Sequence, residues 1–207
     1  MIWSILLFIK FLFPGNLYLN DVPVVFTDTI SVRTIDRAAD QQGYYLYLPE
    51  RAASSYSVVL FVHGYGCINP MIYGAWIRHL VSQGNVVIYP RYQESIWTPS
   101  PRMFALNVAH AFSNAIELMD SLHVPYRLDQ LAYVGHSYGG TTVAYLGVYH
   151  DSLDMPAPRV IMACQPGTGP FDALKLESYA GIDPAIKLLV LVGKDDKTVG
   201  DALGRQI

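Results

Sequence analysis

The sequence predicts an α/β fold, a mostly parallel central sheet with helices on both faces. Three observations carry that prediction. From about Val22 onward, short apolar runs alternate with longer amphipathic ones, the rhythm of βαβ units. Runs such as Ser57 to Val62 are continuously apolar rather than alternating, as expected of strands covered on both faces. Several of these runs break at glycine-rich turns that lead straight into segments of helical period.

In chain order, Val24 to Arg33 alternates loosely and is read as the first strand. Tyr44 to Leu48 is a compact aromatic strand stopped by Pro49. Ser57 to Val62 ends at His63-Gly64-Tyr65-Gly66. Ile72, Trp76, Ile77, Leu80 and Val81 follow at helical spacing, and Gly84 closes that helix. Asn85 to Tyr89 is the next buried strand, stopped by Pro90. Residues 91 to 101 read as loop. A long helix runs from about Arg102 to Leu122, with Phe104, Val108, Phe112, Ile116 and Met119 on its apolar side. Gln130 to Val134 enters Gly135-His136-Ser137-Tyr138-Gly139-Gly140, and a helix continues to about Tyr149. Arg159 to Ala163 and Ile186 to Val192 are the last two strands.

The chain has 207 residues, 52% of them apolar and 15% charged, with a formal net charge of -3. That composition suits one packed domain and argues against disorder. Without a cluster of Lys and Arg, a nucleic-acid partner is not expected. The two cysteines, Cys67 and Cys164, lack metal-ligand spacing and are too few for a disulfide framework. Two buried free thiols is the simpler reading, and a disulfide between them stays open. Residues 1–20 form an apolar N-terminal segment, and 21–207 read as the domain. Met1 to Phe13 is too short an apolar run to span a bilayer, and no basic residue precedes it. A signal or membrane anchor, a segment packed on the domain and a misassigned start all remain open. Secreted or membrane-associated placement is favoured slightly over cytoplasmic.

The strongest chemical signal is Gly135-His136-Ser137-Tyr138-Gly139, a G-x-S-x-G between an apolar strand and a helix. A serine on so tight a turn sits in a strained backbone, and side chains two before and two after it would clash. The helix that begins there brings N–H groups and a positive dipole end to the site. A second signal is His63-Gly64-Tyr65-Gly66 after an apolar strand. A third is Gly193-Lys194-Asp195-Asp196, with Val199, after the last strand.

With these three signals in this order, the chain resembles the α/β-hydrolase superfamily of serine esterases and lipases over roughly residues 24 to 207. The pieces YYLYLPE, VLFVHGYG, VVIYPRY, YVGHSYGG and LLVLVGKDD match that fold's strands two, three, four, five and seven. The resemblance implies Ser137 as nucleophile and Asp196 as the acid that orients a catalytic histidine. It implies the backbone N–H groups of Tyr65 and Tyr138 as the oxyanion hole, with Gly135 and Gly139 as elbow glycines. His63 then braces its loop and is not the base. A small ester substrate is expected, with no metal or organic cofactor. Tyr65, Tyr92, Trp97 and Tyr138 are candidates for an acyl or alcohol pocket, or equally for packing. The interval from Gln165 to Ala185 can hold at most a short helix, so a large lid is not expected.

One departure stands out. All six histidines (His63, His79, His110, His123, His136 and His150) precede Asp196, whereas the family's base follows the acid. The expectation is therefore a domain lacking the last strand, the histidine loop and the last helix, as a fragment of a longer gene product would be. Its final strand would leave an apolar sheet edge. A non-catalytic relative, a binding or interaction domain with a dead site, is the competing reading, and a thioesterase or peptidase on the same scaffold is a third.

Overall fold

The computed structural model describes residues 31–95, 97, 100–169 and 172–207. The apolar segment at 1–20 and most of the stretch read as the first strand lie outside these residues.

Seven strands make one sheet: β1 (Val32–Asp36), β2 (Tyr44–Pro49), β3 (Tyr56–Val62), β4 (Asn85–Pro90), β5 (Tyr126–His136), β6 (Val160–Cys164) and β7 (Lys187–Leu191). Their order across the sheet is β1-β2-β4-β3-β5-β6-β7. β1 and β2 run antiparallel to their neighbours, and every other pairing is parallel. Of the stretch read as the first strand, only residues 31–33 are described, and β1 spans Val32–Asp36. β5 begins at Tyr126, four residues before Gln130, because its polar start still pairs with β3 across a bulge near Ser57 and Val58.

The helices are α1 (Gly74–Ser82), α2 (Phe104–Ser121), α3 (Tyr138–Tyr149) and a short α4 (Ala202–Gln206). A 3₁₀ turn at Pro70–Tyr73 leads into α1, and the Asn69 side chain accepts the Met71 N–H at 2.9 Å to cap it. Ile77 and Val81 of α1 pack with Val59, Phe61, Val87 and Tyr89 on one face of the sheet. Phe104, Val108, Phe112 and Met119 of α2 and Val143 and Leu146 of α3 pack with Leu46, Val58, Leu60, Ile88 and Leu131 on the other. Both faces are thus covered, which is why the central strands are apolar without alternation. Each of these buried side chains contributes about 1.5–3 kcal/mol by leaving water. α4 has no counterpart in the sequence reading. It sits at the chain's last residues, where Leu203 joins Ala144 and Tyr179 in a small separate cluster.

The parallel register decides where the chemistry sits. Val62, Gly135, Ala163 and Val190 lie side by side across β3, β5, β6 and β7. The residues that follow each of them emerge together at one edge of the sheet. His63, His136 and Ser137, Cys164 and Gln165, and the turn after Leu191 are all neighbours for this reason. No helix among the described residues is long and apolar enough to cross a membrane.

Candidate active site

Ser137 is the residue between β5 and α3, with φ 55° and ψ -124°. A positive φ is costly for any residue with a Cβ, by about 1–3 kcal/mol, and persists only where the surroundings enforce it. Here they do. The Ser137 N–H donates to the Cys164 carbonyl at 3.0 Å, while its own carbonyl accepts from Gly140 at 2.8 Å and Gly167 at 3.1 Å. The two flanking glycines are sterically required. A Cβ on Gly135 would lie 2.2 Å from the Gly139 carbonyl oxygen, and one on Gly139 would lie 2.0 Å from that of Val62. Strand β3, the elbow and the start of α3 are therefore in backbone contact.

The same contact brings the loop after β3 to the serine. A Cβ on Gly64 would stand 3.2 Å from the Ser137 Cβ. Tyr65 and Tyr138 are neighbours, with ring centroids 6.2 Å apart. Tyr138 is the first residue of α3, so its N–H has no partner within the helix. Its ring is fully buried and meets Phe104 edge-on at 5.6 Å. Burial, Asp172 and Tyr65 together push its phenol up to about 12. Tyr92 is also core, its hydroxyl donating to the His63 carbonyl at 2.8 Å. Of the four aromatic pocket candidates, Tyr92 and Tyr138 are thus packing residues. Tyr65 is half-buried, and Trp97 is 85% exposed.

His63 is completely buried and stacks on Tyr92 at 4.2 Å and Tyr89 at 5.1 Å. Its Nδ1 lies 2.7 Å from the Gly64 carbonyl oxygen and its Nε2 3.0 Å from that of Arg91. Two facing carbonyls favour a charged ring, but burial outweighs them and lowers its pKa to about 4. It stays neutral and pins the loops after β3 and β4. His136 has its Nδ1 2.9 Å from the Tyr73 hydroxyl. Burial lowers its pKa, partly opposed by Asp196. Among the described residues, no histidine hydrogen-bonds Ser137 or Asp196.

Asp196 lies in the turn after β7, half-buried. One carboxylate oxygen accepts the N–H groups of Thr198 at 2.6 Å and Val199 at 3.3 Å. The other accepts from the Gln165 side-chain amide, whose oxygen in turn takes the Gly193 N–H. Burial alone would raise this carboxyl's pKa; the bonds from Thr198, Gln165 and Val199 outweigh it and hold the pKa below the usual value. Asp195, by contrast, is exposed.

Gln165 was not legible as a site residue. It has φ 45°, its N–H donates to the Leu191 carbonyl at 2.7 Å, and its side chain grips the acid turn. Since Cys164 next to it accepts the Ser137 N–H, the chain Ser137, Cys164, Gln165, Asp196 is a continuous run of bonded neighbours. Only the unusual place of a glutamine directly after an apolar strand hinted at this. Both cysteines are free thiols. Among the described residues, no group of three or more His, Cys, Asp or Glu side chains is arranged to hold a metal ion.

The strand order is that of an α/β-hydrolase, the class that the motifs suggested. The family model described as chlorophyllase matches residues 25–184, and the chain belongs to that family. No curated protein matches the sequence. Solved structures similar to it include fungal esterases from Rhizomucor miehei, at 20% identity and TM-score 0.55, covering 78% of this chain and 52% of theirs. Carboxyl esterase 2 from Tuber melanosporum is similar at 20% identity and TM-score 0.54, covering 73% and 49%. Esterase B from Lactobacillus rhamnosis is similar at 18% identity and TM-score 0.53, covering 79% and 54%. At such identities the likeness is one of fold. The chain spans about half the length of the solved structures it matches.

Proposed function

We propose that this chain carries a serine carboxylic-ester hydrolase site with Ser137 as the nucleophile. The observation that supports it best is the strained Ser137 backbone, φ 55°, held between two glycines that admit no side chain. Strain of this kind presents the hydroxyl at the tip of the elbow. In the proposed reaction, the Ser137 hydroxyl loses its proton to an imidazole and its oxygen attacks the ester carbonyl. The Tyr65 and Tyr138 N–H groups receive the developing oxyanion. The tetrahedral species collapses, the alcohol leaves with the proton, and water then releases the acid from the serine. Asp196 holds the imidazole in one tautomer and stabilises its charged form.

Since no histidine meets Ser137 or Asp196 among the described residues, the imidazole has to be supplied to the site. The measurement is turnover of p-nitrophenyl acetate with and without added imidazole, in the wild type and Ser137→Ala. Imidazole-dependent turnover that vanishes in Ser137→Ala supports the reading. Turnover indifferent to Ser137 overturns it. The family's name makes chlorophyll the next ester to try. That no imidazole hydrogen-bonds Ser137 or Asp196 among the described residues favours a second reading, an ester-binding domain without turnover. Saturable binding of an ester with no acyl transfer to Ser137 would establish that one. In the interval between β6 and β7, the described residues form turns and no helix, which supports an open site.

A further inference from the structure

The Tyr73 hydroxyl has two polar partners, and both belong to the site's framework. It accepts the Gly64 N–H at 3.0 Å. It lies 2.9 Å from the His136 Nδ1, one residue before the nucleophile. The loop is closed by the Cys67 N–H, which donates to the Gly64 carbonyl at 3.0 Å, and by the Cys67 thiol, 3.9 Å from the Tyr65 carbonyl oxygen. The ring itself is buried, 5.0 Å from Phe61 and 6.2 Å from Tyr89. A hydroxyl can accept from Gly64 and still donate its own proton, and the imidazole tautomer sets the direction of the His136 contact; with the hydroxyl as donor, His136 carries its proton on Nε2. The hydroxyl thus ties the loop after β3 to the end of β5. Packing alone needs only the ring.

We propose that Tyr73 is a positioning residue whose hydroxyl fixes the Gly64-Tyr65 peptide against Ser137. Its catalytic half rests on the ester-hydrolase reading above; its structural half does not. The consequence is that the Tyr65 N–H is set in place before any substrate arrives, which is the condition for an oxyanion donor to be effective. Tyr73→Phe removes the hydroxyl and keeps the ring. It leaves a buried Gly64 N–H without its acceptor, while the sheet and α1 stay packed.

The test compares Tyr73→Phe with Tyr56→Phe, which loses a hydroxyl bonded to the Arg51 carbonyl at 2.6 Å, at the opposite end of β3. The first readout needs no turnover: amide hydrogen exchange at Gly64 and Tyr65, and the side-chain nitrogen shifts of His136. In Tyr73→Phe, exchange at both amides should rise about tenfold, and the His136 Nδ1 signal should lose its acceptor character. Tyr56→Phe should change neither. The second readout is imidazole-supported p-nitrophenyl acetate turnover. kcat should fall about 10–100-fold in Tyr73→Phe with KM within about twofold. Unchanged exchange and an unchanged His136 signal overturn the proposal. So does faster exchange with kcat no lower than in Tyr56→Phe. Faster exchange in a protein whose wild type shows no Ser137-dependent turnover keeps the structural pin and rejects the ester-hydrolase reading instead.

Discussion

The two halves of the candidate site are built differently. On the nucleophile side, β3 and β5 are fully flanked, backbone meets backbone, and the conformation of Ser137 is fixed from every direction. On the Asp196 side, β7 is paired on one side only among the described residues, and Leu188, Leu189, Leu191 and Val192 are exposed. The turn that holds Asp196 is tied back chiefly by the Gln165 side chain. The difference teaches that the elbow is set by the fold, whereas the acid is set by a few polar contacts at an open margin.

If the elbow is fixed by sterics, the largest effect belongs to its glycines and its serine. Ser137→Ala should abolish all imidazole-dependent acyl transfer while leaving thermal stability nearly unchanged. Gly139→Ala should destabilise by about 4 kcal/mol or more, or prevent folding, because the new Cβ meets the backbone of β3 rather than a movable side chain. Urea unfolding measures this; a loss below about 1 kcal/mol would show the elbow to be more plastic than described.

An effect of intermediate size comes from His63. The unfolded chain takes up a proton at the ordinary value of 6.5, and the folded one withholds it until about 4. In that window the unfolded state binds more protons, so stability rises with pH and is lost as pH falls from 6.5 towards 4. The loss is on the order of 3 kcal/mol. Urea midpoints across that range should fall on acidification, and a flat profile would break the picture of a neutral brace.

On the acid side the effects should be smaller and local. Gln165→Leu should raise the Asp196 carboxyl pKa, read by carbon NMR titration, and leave global stability within about 1 kcal/mol. An unchanged Asp196 would mean that Thr198 and Val199 suffice. Leu189→Lys on the open strand should reduce self-association at high concentration, with little effect on unfolding. Sedimentation compares the two proteins, and equal association would place the contact elsewhere.

The fold was legible because the central strands are buried on both faces and their glycine turns are steric necessities. Ser137, Gly135 and Gly139 could be read for the same reason: the motif states a backbone geometry. Tyr73 and Gln165 could not. Each acts through one polar group bonded to residues distant in sequence, and neither periodicity nor spacing encodes such a contact. Tyr73 reads only as an apolar residue entering a helix. The polar entry to β5 escaped because pairing, not hydrophobicity, makes it a strand.

The central claim is that residue 137 is the reactive serine, and peptide mapping tests it most directly. The protein is treated with a fluorophosphonate in the presence of imidazole and digested, and the modified residue is located by mass spectrometry. The account predicts a single adduct on Ser137, formed faster with imidazole and absent from Ser137→Ala. An adduct on a different side chain, or an inert Ser137 under conditions that label an authentic serine esterase, would contradict it.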